Sequence, residues 1–201
     1  MDSLAVAMAV FALVGSVTPG PVNVLAIRHG SSSTRRATMA YVLGASLSYA
    51  LVVWLMGQGG AQILHSPVVA QVAQWLGAAY LLYLAWRIAV APCGPMQQVA
   101  GSSRGGVLAA LIEGGMTQSL NPKAWMVALA GVGLFVLPQA DVPGALGLFC
   151  AVSLLACCVG VGAWALVGGL LASQLVQPAR QKVFNGVMGL LLALSVVHML
   201  Q

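Results

Sequence analysis

The chain has 201 residues, of which 60% are hydrophobic and 5% charged, with a net charge of +5 and a mean hydropathy of +0.97. Soluble domains carry about a quarter charged residues, so this composition excludes one and points to a membrane protein. The basic balance does not indicate nucleic acid, because the Lys and Arg residues form no basic face and in a membrane protein report orientation first.

Near-charge-free apolar runs of about 20 residues fall at roughly 4–27, 39–60, 68–90, 112–137, 144–171 and 181–200, which predicts six transmembrane helices and an all-α fold. Period-2 alternation, the mark of a β-barrel, is missing. Met1-Asp2-Ser3 precedes the first run with no basic segment and no small-residue cleavage site, so that run is expected to stay as helix 1 rather than leave as a signal peptide. Inside it lies Thr18-Pro19-Gly20-Pro21-Val22-Asn23. A proline in a helix interior removes a donor and costs about 3 kcal/mol, so helix 1 is predicted to break near its middle, freeing carbonyls around Gly15 to Val17. Broken helices survive at membrane depth where they are buried in protein or line a cavity.

Ser31 to Thr34 reads as a polar turn, and Gly44 and Gly77, with Gly186 in helix 6, suit close helix packing. Trp54, Trp75, Tyr83 and Trp86 read as interface anchors and packing. Residues 91–106, rich in Gly, Pro and Ser, read as a short linker between two halves of a single transmembrane domain, repeat one ending at about residue 90 and repeat two starting at about 107. Helix 4 holds the most polar stretch of any span, Gly114 to Lys123, in which Asn121 before Pro122 is a helix-start signature placed inside a membrane helix. Thr18 before Pro19 reads the same way.

Every Lys and Arg except Lys123 falls in or beside the connections after helices 1, 3 and 5: Arg28, Arg35, Arg36, Arg87, Arg104, Arg180 and Lys182. The opposite segments carry Asp2 and Asp141 and no basic residue, so both termini are predicted outside the cytoplasm. Internal echoes run in the same order through both halves: Val42 to Ala45 with Val142 to Ala145, Trp75-x-Gly77 with Phe184-x-Gly186, and Thr18-x-x-Pro21 with Ser119-x-x-Pro122. Three helices per half insert with opposite orientation, which gives two inverted repeats with helices 1 and 4 both broken near the midplane.

Each second half-helix would begin with unpaired N–H groups and a positive dipole end, able to hold a carboxylate, and each first half would end in carbonyls able to accept from an ammonium group. The expected substrate site is therefore Thr18, Pro19, Gly20, Pro21 and Asn23 from one break with Gln118, Asn121, Pro122 and Lys123 from the other. Lys123 would be an anion contact or a group that gains and loses a proton, the alternative being a side chain that snorkels to the interface. Glu113, near the cytoplasmic end of helix 4, reads as interfacial. Asp2, Glu113 and Asp141 are the only acids and none reads as deep, so a neutral substrate is favoured over a cationic one. His29, His65 and His198 are scattered near span ends, so no metal site is expected, and no cofactor. The rival reading, a membrane thiol-redox carrier using Cys93, Cys157 or Cys158, meets a geometric difficulty: adjacent cysteines on a helix point about 100° apart. Nothing in the sequence reports the oligomeric state.

Pro19-Gly20-Pro21 with Asn23, the Gly44-containing helix 2, and Gly114 followed by Asn121-Pro122-Lys123-Ala124 resemble the LysE/RhtB family of amino-acid exporters, over essentially the whole chain. The resemblance implies a bacterial inner-membrane exporter of amino acids or related metabolites, coupled to protons. Thr38 and Ser48 stand where members often carry glycine, and Glu113 where many carry a basic residue.

Overall fold

Eight α-helices carry the described residues, which in this computed structural model are 2–60, 67–91, 93 and 106–200. They are α1 (Asp2–Val17), α2 (Pro21–Ser32), α3 (Arg35–Leu55), α4 (Pro67–Ala89), α5 (Gly106–Ser119), α6 (Pro122–Gly131), α7 (Val142–Leu171) and α8 (Pro178–Leu200). No strand occurs among these residues. Most of the expected linker, with Arg104, lies outside them, as do His65 and the side chains of Asp2 and His198.

Arg35–Gly59 and Val142–Val176 are each long and apolar enough to cross a bilayer. Two bent pairs pass the same test together: Ser3–Val17 with Pro21–Ser32, bent by 68°, and Gly106–Ser119 with Pro122–Val136, bent by 64°. α4 and α8 have 23 residues each, about 34 Å at 1.5 Å per residue. The breaks fall where the prolines predict, because Pro21 and Pro122 can each occupy the first turn of a helix but not its interior. α7 starts on Asp141, whose carboxylate accepts from Gly144 N at 3.0 Å. α3 starts on Thr34, whose hydroxyl accepts from Ala37 N. The polar turn is shorter than expected: Ser31 and Ser32 belong to the last turn of α2, their hydroxyls donating back to Arg28 O.

α3 packs on α5 and on α7, α7 packs on α1 and α2, and α4 packs on α8. Glycine makes the closest of these approaches possible. Gly44 of α3 lies against the backbone of Leu111 and Gly114 of α5 against that of Tyr41, while Gly30 of α2 meets Ala165 and Gly168 of α7 meets Ile27. A side chain at any of these positions would collide with a backbone carbonyl, so van der Waals contact between the helices depends on its absence. Gly77 packs on Leu120 as expected, but Gly186 faces open space and Gly189, with Ala85 O 2.9 Å from its would-be Cβ, makes the contact in α8. Gly44 sits mid-helix whereas Gly144 lies in the first turn of α7, so that echo does not mark equivalent positions. The Thr18-x-x-Pro21 and Ser119-x-x-Pro122 echo coincides with the two breaks.

Outward faces are apolar. Met39, Leu43, Leu47 and Leu51 form an exposed stripe at four-residue spacing on α3, and Leu155, Val159, Leu166 and Leu170 form another on α7 at steps of four, seven and four. Trp54, Trp75, Tyr83 and Trp86 are also exposed. The buried polar residues, among them Asn23, His29, Thr117, Gln118 and Asn121, lie inside. Apolar outside with polar inside is the pattern of a protein solvated by lipid.

Candidate functional site between two helix breaks

The first break spans Thr18 to Gly20 and ends on an extended glycine. Gly20, with φ −178° and ψ 178°, is the residue before α2 and makes no side-chain cap, so the expected cap at Thr18 is displaced to Gly20 with Pro21 at the first helical position. Thr18 instead turns its hydroxyl back to Val14 O. The second break follows expectation: Asn121 caps α6, its Oδ1 accepting from Lys123 N at 3.2 Å, and Pro122 opens the helix.

Several of the carbonyls that end α1 and α5, those of Ser16, Val17, Thr18 and Ser119, already have donors, which narrows the expectation that they await an ammonium group. Asn23 Nδ2 donates to Ser16 O and to Thr18 O, both at 2.9 Å. Trp164 Nε1 donates to Val17 O at 2.9 Å and Trp125 Nε1 to Ser119 O at 2.7 Å. A buried carbonyl without a donor costs about 1–3 kcal/mol, so these side chains are what make each break tolerable. Neither tryptophan stands out in the sequence, because their partners are brought to them only by folding.

Lys123 Nζ donates to Thr18 O at 2.8 Å and so joins the breaks directly. Lys123 is half-buried, and its side chain runs past Gly20, 3.8 Å from where a Cβ would stand. Around this contact lies a cleft lined by Ser16, Thr18, Gly20, Asn23, Gln118, Asn121 and Lys123, with Tyr49 and Cys157 on its other walls and Val127 and Val161 as apolar lining. Its unfilled space, mouth included, is ≈ 390 Å³. Six of the expected site residues therefore meet: Thr18, Gly20, Asn23, Gln118, Asn121 and Lys123. Pro19, Pro21 and Pro122 do not line the cleft; they shape the breaks.

Gln118 is buried, and its Nε2 donates weakly to Cys157 Sγ at 4.0 Å, while its Oε1 has no partner. A buried amide oxygen without a donor is uncommon in a folded protein. In a cleft with an ammonium on one wall and a helix N-terminus beside it, that oxygen supplies an acceptor. Ser48 and Ser119 bridge α3 and the end of α5, their hydroxyl oxygens 2.7 Å apart, which gives Ser48 a role a glycine could not fill.

Glu113 is not a lone interfacial residue. Its Oε2 lies 2.9 Å from His29 Nε2, so α5 is tied to α2. Cys93, Cys150, Cys157 and Cys158 are all free. Cys93 lies by Asn185 and Cys157 by Gln118, so the thiols of the redox reading are not gathered, and that reading finds no support. Cys157 is nonetheless more than an apolar filler, because it forms part of the cleft wall.

Comparison with known proteins places this geometry. A family model described as LysE type translocator matches residues 13–201. The chain is similar to proteins named cysteine/O-acetylserine efflux protein. Identity to the one from Salmonella typhimurium is 31% over 193 residues, and to the one from Salmonella typhi 32% over 193 residues. The Escherichia coli protein of that name is 30% identical over 195 residues. Each match covers 94% of this chain and 93% of the relative. No solved structure matches the chain significantly.

Proposed function

The chain belongs to the LysE type translocator family, and from that premise we propose that it exports a small neutral amino acid from the bacterial cytoplasm by proton antiport. It is an integral membrane transporter of the amino-acid export type, not an enzyme. The further reading has six spans in two inverted repeats within one domain, each bent pair counting as one span, in the inner membrane with both termini outside the cytoplasm. Seven basic residues, Arg28, Arg35, Arg36, Arg87, Arg104, Arg180 and Lys182, argue for that orientation.

The observation that carries the proposal is the bond from Lys123 Nζ to Thr18 O, because it brings a cation to the N-terminus of α2. A substrate carboxylate is a stronger partner for an ammonium than a carbonyl is. It would take Lys123 from Thr18 and lie at the uncapped start of α2, where the helix dipole favours an anion. Gln118 Oε1 would accept from the substrate's own ammonium group. No carboxylate lines the cleft, so a second positive charge on a cationic substrate would meet no counter-charge, and Ala124, Val127 and Val161 suit a short side chain. The relatives named for efflux of cysteine and O-acetylserine make those two compounds the first candidates.

The test is efflux from proteoliposomes loaded with a panel of amino acids under an imposed pH gradient. Cysteine, O-acetylserine or another small neutral member should leave in a gradient-dependent way, while lysine and arginine should not. Asn121→Ala and Lys123→Ala should remove the transport. Efflux untouched by both substitutions would place the substrate elsewhere.

A further inference from the structure

Two side-chain clusters lie on either side of the helix breaks, and their chemistry differs. Toward α1 and α6 the cluster is aromatic: Phe11, Phe135 and Phe149 pack with ring centroids 5.3 Å to 6.5 Å apart. Toward α2 and α5 it is polar. His29 Nε2 meets Glu113 Oε2 at 2.9 Å, His29 Nδ1 meets Ser33 Oγ at 3.1 Å, and the imidazole stacks on the buried Tyr41 ring at 4.4 Å. Tyr41 in turn donates to Val22 O at 2.9 Å, one residue into the first turn of α2.

α2 and α5 otherwise touch little, since α5 packs on α3 and α2 on α7. The His29–Glu113 pair is therefore the principal side-chain tie between the two half-helices on the basic side of the breaks. Burying such a pair is costly, and an apolar pair of similar volume would hold the helices at least as well. Stability alone does not account for it. A polar pair of this kind differs from an apolar contact in one respect: a single proton taken up by the carboxylate removes the attraction. The charged and titratable groups facing the pair are Arg28 on α2, Tyr41 on α3, and Arg87 and Tyr80 on α4, with Cys157 on α7 beyond Tyr41. Glu113 is the only acid at this end, because Asp141 opens α7 at the other and Asp2 opens α1.

We propose that the His29–Glu113 pair is the proton-binding gate of this transporter on its basic, cytoplasmic side. With Glu113 ionised and bonded to the His29 imidazole, the pair holds α2 against α5 and the path from the cleft to that side is shut. A proton arriving from the opposite side neutralises Glu113, the attraction lapses, and the half-helices part. The proton then leaves to the cytoplasm as substrate enters, and the ionised carboxylate closes on His29 again. One proton moves inward for each opening, which is the coupling that export requires. The proposal rests on the exporter reading above.

Two measurements test it, one with substrate and one without. In proteoliposomes, with reduced radiolabelled L-cysteine as probe, Glu113→Gln and His29→Gln should lose gradient-driven accumulation by more than about tenfold, and the pH dependence of the remaining efflux should flatten in both. Glu113→Asp should recover part of the accumulation. In inside-out vesicles, with Cys93, Cys150 and Cys158 replaced by serine, a membrane-impermeant maleimide should reach Cys157 slowly and in a pH-dependent way. Adding Glu113→Gln should raise that rate about tenfold and leave only the pH dependence of the thiol–maleimide reaction itself, as measured on the unfolded protein. Monodisperse elution in detergent separates folding failure from a gating defect. Gradient-driven accumulation retained in both pair variants, or Cys157 labelling unchanged by them, overturns the gate. A parent protein that transports no member of the amino-acid panel counts against the exporter reading, and the labelling then decides the gate by itself.

Discussion

Lys123 Nζ lies 2.8 Å from Thr18 O, so a side chain from the second helix break is bonded to the backbone of the first across 105 residues of sequence. The contact makes the two breaks one site and gives that site its only cation among the cleft-lining residues. A hydrogen bond to a charged group is worth about 1.5–3 kcal/mol. Lys123→Met should therefore slow efflux from proteoliposomes by about 10- to 100-fold, with Lys123→Arg retaining part of the rate. A methionine variant that transports at the parent rate would falsify the role assigned to Lys123.

Asn23 bonds both Ser16 O and Thr18 O through one amide nitrogen. Asn23→Ala leaves Ser16 O without that donor, at a cost of about 1–3 kcal/mol, and the thermal unfolding midpoint in detergent should fall by several degrees. Asn23→Asp should be worse, because a carboxylate facing two carbonyls repels them. Equal midpoints for the parent and both variants would show that the break is held by other contacts.

Gln118 carries a buried oxygen with no partner. Replacing it by leucine removes an unsatisfied polar group, so Gln118→Leu should leave the unfolding midpoint unchanged or raise it slightly. The same variant should raise the concentration of amino acid needed for half-maximal efflux by about tenfold, since the acceptor for the ammonium is gone. Loss of stability without a change in substrate dependence would mark Gln118 as a packing residue.

Gly44 faces the Leu111 backbone and Gly186 faces open space. Gly44→Ala should force α3 from α5 and sharply reduce the yield of folded protein in membranes. Gly186→Ala should be neutral or slightly stabilising, since alanine is the better helix former by about 1 kcal/mol. Comparable yields from the two variants would contradict the close α3–α5 contact.

The membrane class, the all-helical character and both breaks were legible in the sequence, because each depends on local chemistry. Twenty apolar residues fill a bilayer whatever surrounds them, and Pro21 and Pro122 cannot sit in a helix interior in any context. Asn121 as a cap was readable for the same reason, as its partner Lys123 N is two residues away. Where Thr18 and Pro19 suggested a second cap of that kind, the structure moved it to Gly20, because Pro21 rather than Pro19 takes the first helical position.

Only the tertiary structure decided which groups answer the carbonyls left by those breaks. Trp164 reaches Val17 O from 147 residues away, Lys123 reaches Thr18 O, and Glu113 finds His29 across 84 residues. Such pairs depend on helix rotation and approach, which are set by Gly30, Gly44, Gly114 and Gly168 meeting backbone rather than by any pattern around the polar residues themselves. Composition and local spacing thus determined that this chain is an apolar helical protein and where its helices break. Long-range packing of small residues decided that the breaks meet, which polar atoms they share, and that a histidine of α2 and a glutamate of α5 come together.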